Sequence, residues 1–186
     1  FPGEIESMVN FLWVAVHNKK FGVEINQAFE ESFNGYGLNH SIEEAAISWM
    51  IAENFRLGNE MSRQTGEYRQ EFSYQPRGHA KYADVVRLFD WDAFEQFNRN
   101  TSESYENGEI NYDDDVNNVP TDDRLLRMSQ AFGYDLRPLI HFWGVHPDNA
   151  TSLETEIKNS DLKKSTAIYD QLSFYKTIVP ANNEAF

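Results

Sequence analysis

Apolar residues recur along most of this chain at steps of three and four, the period that lines one side of an α-helix. The first such run is Ile5, Met8, Val9, Leu12 and Val16; it follows Pro2-Gly3 and ends before Gly22, with Lys19 and Lys20 in its last turn. Apolar residues also fill much of its other side, which predicts a deeply buried helix. Ile25, Ala28, Phe29 and Phe33 predict a short second helix over 24–33, and Asn34-Gly35-Tyr36-Gly37 a turn. Ser41-Ile42-Glu43-Glu44 has the form of a capping box, in which a hydroxyl serves one orphan amide and a carboxylate three residues on serves another. The helix it opens places Ile42, Ala45, Ala46, Trp49, Ala52 and Phe55 on one face and closes at Gly58-Asn59.

The polar stretch 60–78, with Gly66, Pro76 and Gly78, predicts a long loop with room for a short strand at Phe72 to Tyr74. Tyr82, Val85, Val86 and Phe89 mark the next helix. Asp90 caps another, with Trp91, Phe94, Phe97 and Tyr105 on its face. Residues 107–120 read as loop. Thr121 then caps a helix carrying Leu125, Leu126, Met128 and Phe132, and Asp135 caps a short apolar one (Leu139, Ile140, Phe142, Trp143) with Pro138 tolerated in its first turn. Thr151-Ser152-Leu153-Glu154 is a second candidate capping box, and one or two final helices run to about Lys176. The expected class is mainly α: an irregular helical bundle with long loops and little or no sheet, residues 1–186 forming one helical domain or subdomain.

The composition agrees with a folded domain. In 186 residues, 40% are hydrophobic and 15% aromatic, enough to build a core and to exclude disorder as the default. No apolar run approaches the roughly 20 residues that span a bilayer, so no transmembrane segment is expected. The formal charge of −14, from 30 acidic and 16 basic residues, repels phosphate backbones and argues against nucleic acid as a partner. The absence of cysteine excludes disulfides, thiolate catalysis and Cys-rich zinc sites. Three Asn-x-Ser/Thr triplets, at Asn39, Asn100 and Asn149, are candidate glycosylation sites and allow a secreted or cell-surface location. The chain begins at Phe1 and shows no signal peptide, which suggests a piece of a longer protein or a processed product.

Candidate chemistry is sparse. HExxH, a Gly-rich phosphate loop and GxSxG are all missing. Of the histidines, His17, His40, His79, His141 and His146, none pair at the i, i+4 spacing that puts two imidazoles on one metal. His141 and His146 lie five apart across a helix end, where packed or surface roles are the simpler reading. Asp113, Asp115 and Asn117 alternate as in a calcium loop, but Asn118 replaces the expected Gly and the twelfth position lacks Glu, so a solvated loop is the simpler account. The first helix is more informative. Glu6, Asn10, Trp13 and His17 recur at steps of three or four, and a carboxylate and an amide on an otherwise apolar helix need partners. For Glu6 alone, the helix dipole in the first turn offers one.

Three segments resemble enhancin-like, mucin-targeting zinc metallopeptidases, in the order that family has them. Pro2-Gly3-Glu4-Ile5-Glu6-Ser7-Met8-Val9-Asn10 resembles the segment after the zinc helix, where a Gly/Pro approach leads to a Glu and an Asn four residues on. Tyr82 to Phe97 resembles the family's helix, Gly-Trp turn and helix, with Asp90 in the place usually held by Gly. Asp123 to Gly144 resembles its helix pair ending in Trp-Gly. Together they cover much of residues 2–144. The resemblance implies a gluzincin site, in which two histidines of HExxH and a downstream Glu hold zinc and the motif's own Glu polarises the attacking water. Glu6 matches the downstream zinc ligand, and Asn10 a family Asn beside the site.

The HExxH helix normally lies shortly before this segment. The implied role is therefore that of the C-terminal helical portion of a metallopeptidase domain acting on glycoproteins such as mucins. It would complete the zinc site with Glu6, wall the substrate cleft, pair with the N-terminal portion of the same domain, and be inactive alone. The alternative is a non-catalytic glycan- or protein-binding module derived from that family; aromatic residues suit sugar stacking, although most sit at core spacing.

Overall fold

The computed structural model describes residues 5–32, 40–61, 78–110 and 121–179, with side chains from Met8 onward. Ten α-helices account for most of them, and among the described residues the strand-like pairing is a single parallel bridge, Tyr134 to Lys163. The expected mainly α class holds. In chain order the helices are α1 (Ile5–Ala15), α2 (Ile25–Glu31), α3 (Ile42–Ile51), α4 (Glu53–Leu57), α5 (Ala80–Phe89), α6 (Trp91–Glu106), α7 (Thr121–Phe132), α8 (Arg137–Phe142), α9 (Ala150–Asn159) and α10 (Thr166–Ile178). The turn at 34–37, the short strand at 72–74 and the loop at 111–120 fall outside the described residues.

Local chemistry explains the boundaries. The capping box at the start of α3 forms: the Ser41 hydroxyl accepts the Glu44 amide at 3.1 Å, and the Glu44 carboxylate accepts the Ser41 amide at 2.9 Å. The Glu24 carboxylate caps α2 by accepting two amides, and Ser165 caps α10. The second expected box is corrected. Asn149, not Thr151, caps α9 by accepting the Ser152 amide at 3.0 Å, and Glu154 is turned to Arg137 instead. The stripe from Ile42 to Phe55 is also split, because Ala52 leaves the helix with ψ of 148° and α4 starts anew. Thr121 opens α7, its amide held by the Asp148 carboxylate. Tyr105, expected on the inner face of α6, is exposed, while Trp91, Phe94 and Phe97 are buried.

Asp90 joins α5 to α6 with φ of 71° and ψ of 171°, a region essentially reserved for glycine. Its carboxylate accepts the Trp91 amide at 2.6 Å. Such a backbone costs an L residue about 1–3 kcal/mol, whereas Gly is only a few tenths worse than Asp as an N-cap. The larger unfolded-state entropy of Gly takes back about 0.4–1 kcal/mol. Asp90→Gly is therefore expected to stabilise the chain by about 1 kcal/mol, read as a raised midpoint in thermal unfolding. A lowered midpoint would mean that the cap outweighs the strain.

The helices enclose one core. α1 packs on α2 and α5, α6 runs beside α7, α9 lies on α7, and α10 covers α3 and α8. Phe11 of α1 sits among Tyr82, Trp91 and Phe94 with ring centroids 5.1–5.5 Å apart. At the other end Phe142 stacks on Tyr175 at 5.1 Å. Burying each such ring contributes about 1.5–3 kcal/mol, and paired rings somewhat more.

Between these clusters lies a buried polar network. Asp84 is fully buried; it accepts Arg87 at 2.6 Å, the Trp143 indole N–H at 2.8 Å and the Tyr175 hydroxyl at 2.7 Å. Arg87 continues to Glu43 at 2.6 Å, and Glu43 accepts the Asn26 amide at 2.6 Å. Asn26 in turn accepts the Ile42 amide. The chain of bonds ties α2, α3, α5, the end of α8 and α10 together. Burial pushes the Asp84 carboxyl up, against the pull of Arg87, Tyr175 and Trp143. Burial also works against the Arg87 charge, but Asp84 and Glu43 overcome it and raise its pKa.

Candidate functional site

The expected zinc-site residues lie on α1. Residue 6 stands in its first turn, and the Glu6 side chain lies outside the described residues. Asn10, one turn on, is buried at 7% exposure beside Phe11 and Val14, which also face inward. The opposite side is the surprise. Val9, Leu12, Trp13 and Val16 are 44–63% exposed, and Phe21 beyond them 66%. The expectation of a deeply buried helix is thus corrected: α1 buries one side and presents a contiguous apolar stripe on the other. Exposed apolar stripes of this kind mark interaction surfaces. Asn10 and Trp13 do not behave as one face, since Asn10 is buried and Trp13 is exposed.

The end of α1 is tied to neighbouring elements. Val16–Lys20 forms a π-helical turn, a local widening that recurs at functional sites. It directs Asn18 to a double role, donating to the Val23 carbonyl at 2.8 Å and accepting the Trp91 indole N–H at 2.6 Å. His17 meets Trp13 edge-on at 5.7 Å and lies 3.4 Å from the Glu31 carboxylate. Lys19 pairs with Glu95.

The remaining candidates are dispersed. His79 is a packed histidine, bonded to the Ser32 hydroxyl at 3.0 Å and lying against Phe29. Two residues on, Lys81 is buried and donates to the Gly78 carbonyl. Lys81 was not singled out from the sequence, and His79 was named only among histidines that do not pair. The position of His79 and Lys81 at the start of the helix marked by Tyr82, Val85, Val86 and Phe89 was the available signal. His141 and His146 stack face to face, 4.2 Å apart and 19° from parallel, and burial followed by the neighbouring His146 lowers the His141 pKa. Stacked imidazoles direct their nitrogens alongside one another rather than at a common ion. Among the described residues no group of three or more His, Asp or Glu is placed to hold a metal.

Asp113, Asp115 and Asn117, the calcium candidates, and Asn39 fall outside the described residues. Asn149 is exposed at the N-cap of α9. Asn100 is exposed in the interior of α6, where its side chain accepts from Gln96. No described helix is long and apolar enough to cross a membrane.

A cleft of about 390 Å³ opens on the opposite side of the sequence, between α7, α8, α9 and α10. Leu125, Val145 and Leu153 are buried beneath it. Arg137 forms its rim, gripping Asp135 through two bonds of 2.7 and 2.8 Å and Glu154 through one of 2.5 Å. No family model, curated protein or solved structure matches this chain.

Proposed function

We propose that the chain is the C-terminal helical portion of an enhancin-like zinc metallopeptidase domain acting on glycoproteins such as mucins. In this reading Glu6 is the downstream zinc ligand and Asn10 a residue that orients its surroundings. The observation that carries the proposal is the uncovered apolar stripe of α1. A helix with Asn10, Phe11 and Val14 in the core and Val9, Leu12, Trp13 and Val16 in water has the two-sided pattern of a helix packed between layers. The turn expected to deliver Glu6 begins that same helix. The zinc-binding helix of the same domain is the partner this reading places on the stripe. Zinc, when bound, would polarise the attacking water; this chain contributes one carboxylate, too few to hold the metal unaided.

The test uses the longer polypeptide that the reading requires, with its HExxH-bearing flank. It is expected to bind zinc and to cleave a mucin-type glycoprotein, and the 186-residue chain alone to do neither. Glu6→Gln in the long form should weaken zinc binding by about tenfold or more, since losing even an outer partner of a metal ligand costs that much. Unchanged zinc affinity in Glu6→Gln, or a flank without HExxH, would remove the metallopeptidase reading. The non-catalytic binding module would then stand in its place.

A further inference from the structure

We propose that the cleft between α7, α8, α9 and α10 binds a neutral sugar ring. None of its residues lies on α1, so the inference does not depend on the zinc reading. The argument begins with size: about 390 Å³ falls within the range of small-molecule sites, which join an apolar lining to a few fixed polar groups. The floor, Leu125 and Leu153, is apolar and packed into the core. A purely apolar ligand would nevertheless strand the charged groups of the rim.

That rim is fixed before any ligand arrives. Arg137 places three of its N–H groups on Asp135 and Glu154. A guanidinium has five, so two remain to donate. Glu154 accepts from Arg137 and from Lys158 at 2.9 Å, and a carboxylate has about four acceptor positions, so acceptor capacity remains as well. The hydrogen bonds from Arg137 and then Lys158 hold Glu154 down to about 2, so it stays ionised throughout the neutral range. Donor and acceptor thus stand side by side with both charges locked. Neighbouring ring hydroxyls match this pattern, because each can donate to Glu154 while accepting from Arg137.

Charge and shape narrow the class. The cations lining the cleft, Arg137 and Lys164, are balanced by Asp135 and Glu154, and the chain as a whole carries −14. Nothing in that balance attracts an anion. Tyr169 lines the cleft and is 47% exposed, which leaves a ring face for the C–H side of a pyranose.

The experiment is a titration of the isotopically labelled 186-residue chain, followed by backbone amide shifts. The probes are the methyl glycosides of galactose, glucose and N-acetylglucosamine, with N-acetylneuraminic acid and acetate as anionic arms. At least one neutral glycoside should give saturable shifts centred on Asp135, Glu154 and Tyr169. Tyr169→Ala and Glu154→Gln should each weaken it by about tenfold, and Tyr169→Phe, which keeps the ring, should bind as the parent does. Far-UV circular dichroism verifies the fold of each variant; all three substitutions lie at the surface. The proposal is overturned if no neutral glycoside shifts those amides, if only the anionic probes bind, or if Tyr169→Ala and Glu154→Gln bind with unchanged affinity.

Discussion

Asp84→Ala is expected to lower the unfolding free energy by about 3–5 kcal/mol, the usual cost of removing one partner from a buried ion pair. The loss has two sources. Arg87, with its side chain only 19% exposed, would keep Glu43 but lose its closest anion within α5. The Trp143 indole N–H and the Tyr175 hydroxyl would lose a shared acceptor in a place water does not reach. A domain of this size has about 5–15 kcal/mol in all, so the variant should lose a large share of its stability. Urea unfolding is the measurement: the midpoint should fall while the slope stays constant. Asp84→Asn, which keeps an acceptor at that place, should lose less. A loss below about 1 kcal/mol for Asp84→Ala would show that the network contributes little and that the surrounding rings hold the helices alone.

Gly144→Ala is expected to cost about 3 kcal/mol or more. Gly144 ends α8 with φ of 74°, and a Cβ there would come within 2.6 Å of the Met61 backbone nitrogen and 2.6 Å of the Trp49 ring. Neither neighbour can withdraw. Met61 donates its amide to the Gly144 carbonyl at 3.0 Å, and Trp49 is buried with its indole N–H on the Phe142 carbonyl at 2.5 Å. Gly58→Ala is the internal control, because Gly58 has nearly the same φ, 71°, with nothing within 4 Å of the added methyl. It should cost only the left-handed backbone, about 1–2 kcal/mol. Equal losses at the two positions would mean that the contact at Gly144 relaxes and that φ alone sets the cost.

These two sites show what could be read from the sequence and what could not. The helices were legible because their determinants are local. Ser41 and Glu44 stand three apart and find each other without help from the rest of the fold, and Gly58 ends its helix as expected. Choices between close local competitors were harder. Asn149 wins the α9 cap over Thr151, and Arg137, far from any capping rule, takes Glu154 away from it. Ala52 breaks a stripe whose spacing alone promised one helix.

For the candidate site on α1, the sequence offered a resemblance and no spacing rule. Periodicity placed Glu6 and Asn10 on one helix, yet it misjudged that helix as buried all round, because hydrophobicity on both sides does not say whether a partner is present. The Asp84 network was invisible for a different reason. Its acceptor looks like an ordinary polar residue of α5, while Trp143 and Tyr175 come from 59 and 91 residues away. The cleft likewise joins residues from four helices, and no spacing rule connects Asp135, Glu154 and Tyr169.

The distance between Asp84 and Tyr175 also sets an order of events during synthesis. α5 leaves the ribosome long before α10, and the acid and guanidinium it carries have no Tyr175 hydroxyl to meet until α10 has emerged. Closing a contact across 91 residues carries a loop-closure cost that local helices do not bear. The early helices can therefore coil and associate as the chain emerges, but α5 keeps Asp84 and Arg87 hydrated meanwhile. The hydroxyl that completes the pair's hydrogen bonds arrives only with α10, so a ribosome that stops short of Tyr175 releases a chain whose Asp84 lacks one of its native donors.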